Sequence, residues 1–568
     1  MPETKNPSIF GVLDYSTFFG VPAPPDLISK LGKYPTDALI VLLAKVNAII
    51  FHSGGDPNKI DNEVFRLVFN KMDKKIYERI HKIRSTPQGS HGAIFTSPPI
   101  VGLMAKLIAR YQPVSETYMI NESGVTLMMM ELFEAILAVN DNYYNSANGR
   151  DLLTREHLWK LELLQQGFVR GISNMFGVIP LKVFLFFRFM GERYGDNVLK
   201  EFATAFGVPS VYNFYFAFLG IVSSSTSAYE ADRQPRYSIV DKTLEKVFDP
   251  FVYDPSRSKK ISSAGDSFVL INQPFYRLSE SIIVLDFSFF AHITDISLFY
   301  HFYHSTSLKE NHGVKNYNDY LGILGKYFFE EYLALQLIQK LATHKYDKVL
   351  TEKDDPLYPD ILIMQNNKDV FVIEVKSSRV NGRILEQADI PAFENFIIES
   401  FGSEKSKPGE KNKGIYQLKK QIQYLKNGGR KFRIFPVIIY TDLSMDISGV
   451  NSFLEEKFDN IIAGDKASFA KIYPLTLINL HFFIKYYPQL KKQRYFFRDK
   501  IIEYHKRKKS KLKEALKEEN PFTYFQAEYS FMRMMEQTYA AGEPMEYFKM
   551  AAADFGFSEE AKDAKDIS

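Results

Sequence analysis

The chain reads as a multidomain protein with a mostly α-helical N-terminal region, an α/β core built on a mixed central sheet, and a helical C-terminal region. Three observations carry that reading. Apolar residues recur at three- and four-residue spacing through the first 240 residues. From about residue 318, short β-branched runs alternate with helical ones. Beyond residue 490 the helical periodicity returns, first on a basic and then on an acidic segment. A length of 568 residues exceeds one ordinary domain of roughly 100–200 residues. The divisions predicted are 1–240, a connecting region 241–317, a core 318–490 and a tail 491–568.

In the first region, Val64, Phe65, Val68, Phe69 and Met72 mark one helical face, and Ile76, Ile80 and Ile83 continue it. Ile100 to Tyr111, Val125 to Val139, Arg155 to Phe176 and Leu181 to Phe206 follow the same habit. Pro98-Pro99, Asn140-Asp141-Asn142 and Gly207-Val208-Pro209 predict breaks. The polar stretch Ser223 to Arg236 predicts a boundary. No Gly-rich phosphate loop and no Gly-x-Ser-x-Gly elbow occurs in this region.

In the core, Tyr320 to Thr343 predicts a helix, and Lys348 to Glu352, Asp360 to Gln365 and Asp369 to Lys376 predict strands. Asn366-Asn367-Lys368 is a tight-turn sequence between the last two. After a polar loop at Gly402 to Lys413 come a helix at Gly414 to Lys426, a strand at Lys431 to Asp442, a helix at Val450 to Ile462 and a strand at Ile472 to Phe483.

Cysteine is absent. That excludes a disulfide framework, a thiolate-bound zinc or iron–sulfur site and a cysteine nucleophile. Any metal must sit on carboxylates, carbonyls or imidazoles, which suits Mg²⁺ or Mn²⁺. The apolar stretch Val211 to Val222 is shorter than the ~20 residues of a bilayer span, and Lys182 and Arg188 interrupt Val178 to Met190. Both are expected as core helices, without a membrane partner. The opening Met1-Pro2-Glu3-Thr4-Lys5 has no basic-then-apolar leader, which sets the expectation of a cytoplasmic protein.

The chemistry concentrates in Tyr358-Pro359-Asp360 and, past the turn, Glu374-Val375-Lys376. Residues two apart on a strand share a face, so Glu374 and Lys376 project together, and the hairpin sets Asp360 opposite them. Two carboxylates and the Val375 carbonyl would hold one divalent ion through oxygen, with Lys376 orienting or helping to deprotonate an attacking water. Charged groups on otherwise apolar strands are costly unless they pair or bind a metal. The bland alternative is a Glu–Lys surface pair at a strand edge.

Pro-Asp followed by Glu-x-Lys on adjacent strands resembles the PD-(D/E)xK nuclease superfamily, with its restriction-endonuclease-like core, over residues 318–490. The resemblance implies Mg²⁺- or Mn²⁺-dependent phosphodiester hydrolysis, with Asp360 and Glu374 as metal ligands and Lys376 as the catalytic lysine. It also implies an acid on the preceding helix, Glu330 in preference to Glu331, and a polar residue on the following helix, for which Gln417 is the candidate. The 37 or so residues between Lys376 and that helix depart from the family pattern. DNA is the expected substrate, ahead of RNA, in an arrangement similar to restriction or phage-defence endonucleases. The helical front would then serve recognition, regulation or assembly, including self-association. The competing reading is an inactive nuclease fold acting as a nucleic-acid-binding, assembly or sensor factor.

Between Lys491 and Lys517 twelve Lys and Arg face three acids. Lys506, Arg507, Lys508 and Lys509, with Tyr495, Phe496 and Phe497 nearby, are candidate contacts to a phosphate backbone. The same run also fits a solvated helix with local Glu–Lys pairs. His301 and His304 share a helical face without a third ligand and read as a packed or surface pair.

Overall fold

Residues 12–53, 57–85, 93–112, 122–144, 154–163, 174–239, 245–256, 267–279, 281–404, 412–426 and 431–557 are described by the computed structural model. The chain is mostly helical with two mixed sheets. It divides into two compact units, one of Met1–Ser146, Gly167–Ile172 and Phe202–Phe299, the other of Ala147–Gln166, Ser173–Glu201 and Tyr300–Ser568. The division therefore interleaves segments where the sequence predicted consecutive blocks. Trp159 illustrates why: its ring packs edge-on against Phe393 and Phe453, in the core of the second unit.

In the first unit, helices Thr36–His52, Ser97–Ala109 and Glu122–Tyr144 supply much of the apolar core. Against it lies a sheet of β1 (Ser238–Ile239), β2 (Val252–Tyr253), β3 (Phe275–Arg277) and β4 (Ile282–Val284) in the order β1-β4-β3-β2. Two predicted breaks are absent. The helix runs through Asn140 because its buried side-chain amide donates to the carbonyls of Leu13 and Ile94, at 2.9 and 3.0 Å. Helix Val211–Asp232 continues through the expected boundary at Ser223, where Ser225 and Tyr229 are buried and Thr226 Oγ1 donates to the Val222 carbonyl at 2.8 Å. The stretch Asp196–Asp232 is long and apolar enough to cross a membrane by length and composition alone. It is two helices, Asp196–Phe206 and Val211–Asp232, and buries Phe214, Tyr215, Phe218 and Val222.

The second unit is built on β5 (Asp347–Leu350), β6 (Ile361–Gln365), β7 (Asp369–Lys376), β8 (Arg433–Tyr440), β9 (Lys471–Ile472) and β10 (Thr476–Asn479). The order is β10-β8-β7-β6-β5, with β9 paired to β8. The β5-β6-β7 ladder is antiparallel, whereas β7-β8 and β8-β10 are parallel. Asn366 and Asn367 turn the β6–β7 hairpin at φ of 52° and 54°, a left-handed conformation that asparagine tolerates. Lys368 N–H donates to the Gln365 carbonyl at 3.1 Å, and the register begins at Gln365↔Asp369.

Central strand β7 is covered on both faces. Phe371 stacks on Phe435 and Phe497, at 4.7 and 5.0 Å between centroids. Val370 and Val372 join a core with Leu418 and Ile422 of α2 (Ile415–Leu425) and Leu454 and Phe458 of α3 (Val450–Ile462). Preceding the sheet, α1 is a continuous run of Tyr317–Ile323, a π-helical Leu324–Leu335 and Gln336–Leu341. The basic segment forms α4 (Phe496–Glu518).

One local reading is corrected. The single strand expected over Ile472 to Phe483 is β9 and β10 separated around Pro474, followed by a helix His481–Lys485; Asn479 Oδ1 accepts the His481 N–H at 2.9 Å and turns the chain. The stretch between Lys376 and α2 carries helices Gly382–Gln387 and Ile390–Phe401, and the second buries Phe393, Ile397 and Phe401 in the core.

Candidate active site

β7 outruns its neighbour: the β6 ladder starts at Ile361↔Ile373, so the N–H of Val375 lies beyond the last pair. Asp360, the residue before β6, fills that gap, and its Oδ2 accepts the Val375 N–H at 2.8 Å. The same register step sets Asp360 opposite Glu374.

Glu374 is fully buried. Its Oε2 accepts from Lys376 Nζ at 2.8 Å, and its Oε1 accepts from the Gln421 side-chain amide of α2. A buried carboxylate held by two donors is far less costly than a bare one. The other amide atom, Gln421 Oε1, is buried with no hydrogen-bond partner. Gln421 is the site residue that the sequence reading missed. Gln417 lies one turn earlier and its Oε1 accepts the Gly414 N–H at 2.9 Å, capping α2 rather than meeting Glu374. Glycine is required at 414, where φ is 53° and a Cβ would fall 2.1 Å from the Phe401 carbonyl oxygen.

Glu330 lies in the π-helical part of α1, within electrostatic reach of Lys376 and Glu374. Burial pushes its carboxyl up to about 7, with Lys326 and Lys376 opposing and Glu352 and Glu374 reinforcing the rise. Burial, and next the charge of Glu374, push Asp360 well above the usual carboxylate range, against Lys376 and the Val375 N–H. Burial alone would lower Lys376, yet the attraction of Glu374, Asp360 and Glu330 outweighs it and holds the ammonium charged. Lys376 is therefore equipped to donate hydrogen bonds rather than to act as a base. Glu331, adjacent in sequence, pairs instead with Lys353 at 2.7 Å. At the rim, Lys326 pairs with Glu352 at 2.8 Å, and the Tyr424 hydroxyl donates to Asp355 at 2.6 Å.

Among the described residues, no three acidic or histidine side chains converge tightly enough to enclose an ion. The donor set nevertheless fits a hard divalent cation. Asp360, Glu374 and Glu330 repel one another in a buried setting, which a cation would relieve, and the orphaned Gln421 oxygen adds an acceptor.

Elsewhere, Lys506 and Lys509 are exposed on α4, and Arg507 is half-buried. Lys508 is drawn inward, 2.6 Å from Glu455 of α3, and Phe496 and Phe497 are buried core residues. The exposed lysine face continues instead through Lys513 and Lys517. Burial, with the nearby His304, lowers His301 to about 4, while His304 is exposed.

No family model matches this chain, and no curated protein or solved structure matches it.

Proposed function

We propose that the second unit is a divalent-metal-dependent nuclease with a restriction-endonuclease-like core. The observation that carries this reading is the Asp360, Glu374, Lys376 and Gln421 constellation, set at the end of one apolar hairpin where β7 outruns β6. Asp360 and Glu374, with Glu330 and the Val375 carbonyl, would hold Mg²⁺ or Mn²⁺, which when bound would make a water acidic enough to give up a proton to solvent and serve as a hydroxide nucleophile, and would supply charge for the phosphoryl oxygens.

This chain's residues do the rest. Lys376 orients the attacking water through its N–H groups and offsets the charge growing on the phosphate in a partly desolvated site. Gln421 fixes the rotamer of Glu374. The exposed lysines of α4 offer a phosphate-binding surface, and DNA is the substrate proposed ahead of RNA. The test compares wild type, Asp360→Asn and Lys376→Ala on DNA and RNA, single- and double-stranded, with Mg²⁺ or Mn²⁺. Cleavage by wild type alone supports the reading, and equal activity in all three sinks it.

A second reading has its own observation. Both Glu374 oxygens already have protein donors, and among the described residues no three acidic or histidine side chains converge tightly enough to enclose an ion. That arrangement suits a nuclease fold kept as a binding or assembly scaffold. Mn²⁺-dependent thermal stabilisation that Asp360→Asn abolishes would reject it.

A further inference from the structure

Beyond Lys376, the chain reaches aromatic side chains that the proposed chemistry does not use. Tyr300 and His304 lie one turn apart on helix Leu298–His304, and both are exposed, Tyr300 to 48%. Their ring centroids are 4.2 Å apart. Tyr317, which opens α1, closes on both, 5.5 Å from Tyr300 and 6.1 Å from His304 in a stacked arrangement. Beneath them Tyr303 and Tyr320 are buried and pack on Tyr317, so the exposed rings rest on a fixed base.

Two ties fix this cluster relative to Lys376. Arg379, three residues further along, donates a hydrogen bond to the Tyr317 hydroxyl. On α1, a Cβ at Gly325 would fall 2.6 Å from Ser377 Oγ, so the helix and the chain leaving Lys376 run in contact.

We propose that Tyr300, His304 and Tyr317 form a stacking platform for unpaired bases of a single-stranded nucleic acid. The position of its scissile phosphate at Lys376 rests on the nuclease reading, whereas the platform is a separate binding claim. Every base offers a π-face, and stacking on an aromatic side chain is worth roughly 1–3 kcal/mol per base. In a duplex those faces are already occupied by neighbouring bases, so the platform selects single strands. Glu330 follows Tyr317 by thirteen positions along α1. At ~1.5 Å per residue that is roughly 20 Å, a span of a few nucleotides of an extended single strand. Lys309, Lys315 and Arg379 are nearly offset by Glu310 and Asp319 in sequence, so binding here depends on stacking more than on charge.

The test uses the full chain in EDTA, with fluorescently labelled oligothymidylate, oligouridylate and a duplex of equal length, at low and high salt. Tyr300→Ala with His304→Ala should weaken binding of both single strands about tenfold or more at either salt concentration and leave duplex binding unchanged. His304→Ala alone, at an exposed position, should give a smaller loss in the same direction with the melting temperature unaltered. Wild-type affinity in the double variant, equal loss for duplex and single strand, or no binding of single strands by wild type overturns the proposal. Failure of the nuclease reading shows separately, as no metal-dependent cleavage while this binding pattern persists.

Discussion

Lys376 Nζ lies 2.8 Å from Glu374 Oε2, on a carboxylate with no exposure to solvent. The pair is two residues apart on β7, so strand geometry alone brings them together, and neither can leave without stranding the other. Lys376→Met should therefore cost about 3 kcal/mol in metal-free protein, because it leaves a buried, uncompensated carboxylate. Urea unfolding of Lys376→Met and of Lys376→Met with Glu374→Gln checks this. The double variant should recover most of the loss.

Glu330 sets a pH dependence in metal-free protein. Burial holds its folded-state carboxyl up at about 7, above its ordinary value of 4.5. Its contribution to stability is therefore complete below about 4.5 and is lost as the pH rises through about 7. Melting temperature should fall over that window, and Glu330→Gln should flatten this part of the profile. Mn²⁺ added above pH 7 should restore stability to wild type and much less to Asp360→Asn.

The two glutamines of α2 separate by effect. Gln417→Ala removes a cap and should cost about 1 kcal/mol of stability with little change in the chemistry of the site. Gln421→Ala frees Glu374 Oε1. It should lower metal-dependent activity at least tenfold, while Gln421→Glu, a like charge beside Glu374, should also destabilise. Paired kinetics and melts distinguish the two positions.

On α4, Lys508→Ala should cost about 2 kcal/mol of stability, since it breaks the contact with Glu455. Lys506→Ala and Lys509→Ala should leave stability unchanged. Each should lower duplex affinity and reduce the slope of log affinity against log salt by about 0.9, measured by salt titration.

The hairpin was legible because its information is local: alternating β-branched residues, two asparagines suited to left-handed turns, and acids placed where burial penalises them. Gln421 was not. Both glutamines lie on α2, and which one caps and which one reaches the sheet depends on the glycine-fixed start of the helix at Gly414. Asn140 and Ser225 misled for the opposite reason. Their polarity predicts breaks, yet partners distant in sequence, the Leu13 and Ile94 carbonyls for Asn140 and His52 for Ser225, hold them inside helices. The interleaved units were equally out of reach, since Trp159 carries no local sign of packing on residues more than 200 positions downstream.

The π-helical turn carrying Glu330 has a bearing on how kindred chains are to be found. A segment bonded i to i+5 holds a residue more per turn than an α-helix, and it takes up or releases single residues while the flanking turns keep their phase. The twenty-nine positions between Glu330 and Asp360 are thus an elastic interval. A search keyed to that spacing would pass over chains with the same arrangement in space. One keyed to the strand overhang and the carboxylate that caps it would not.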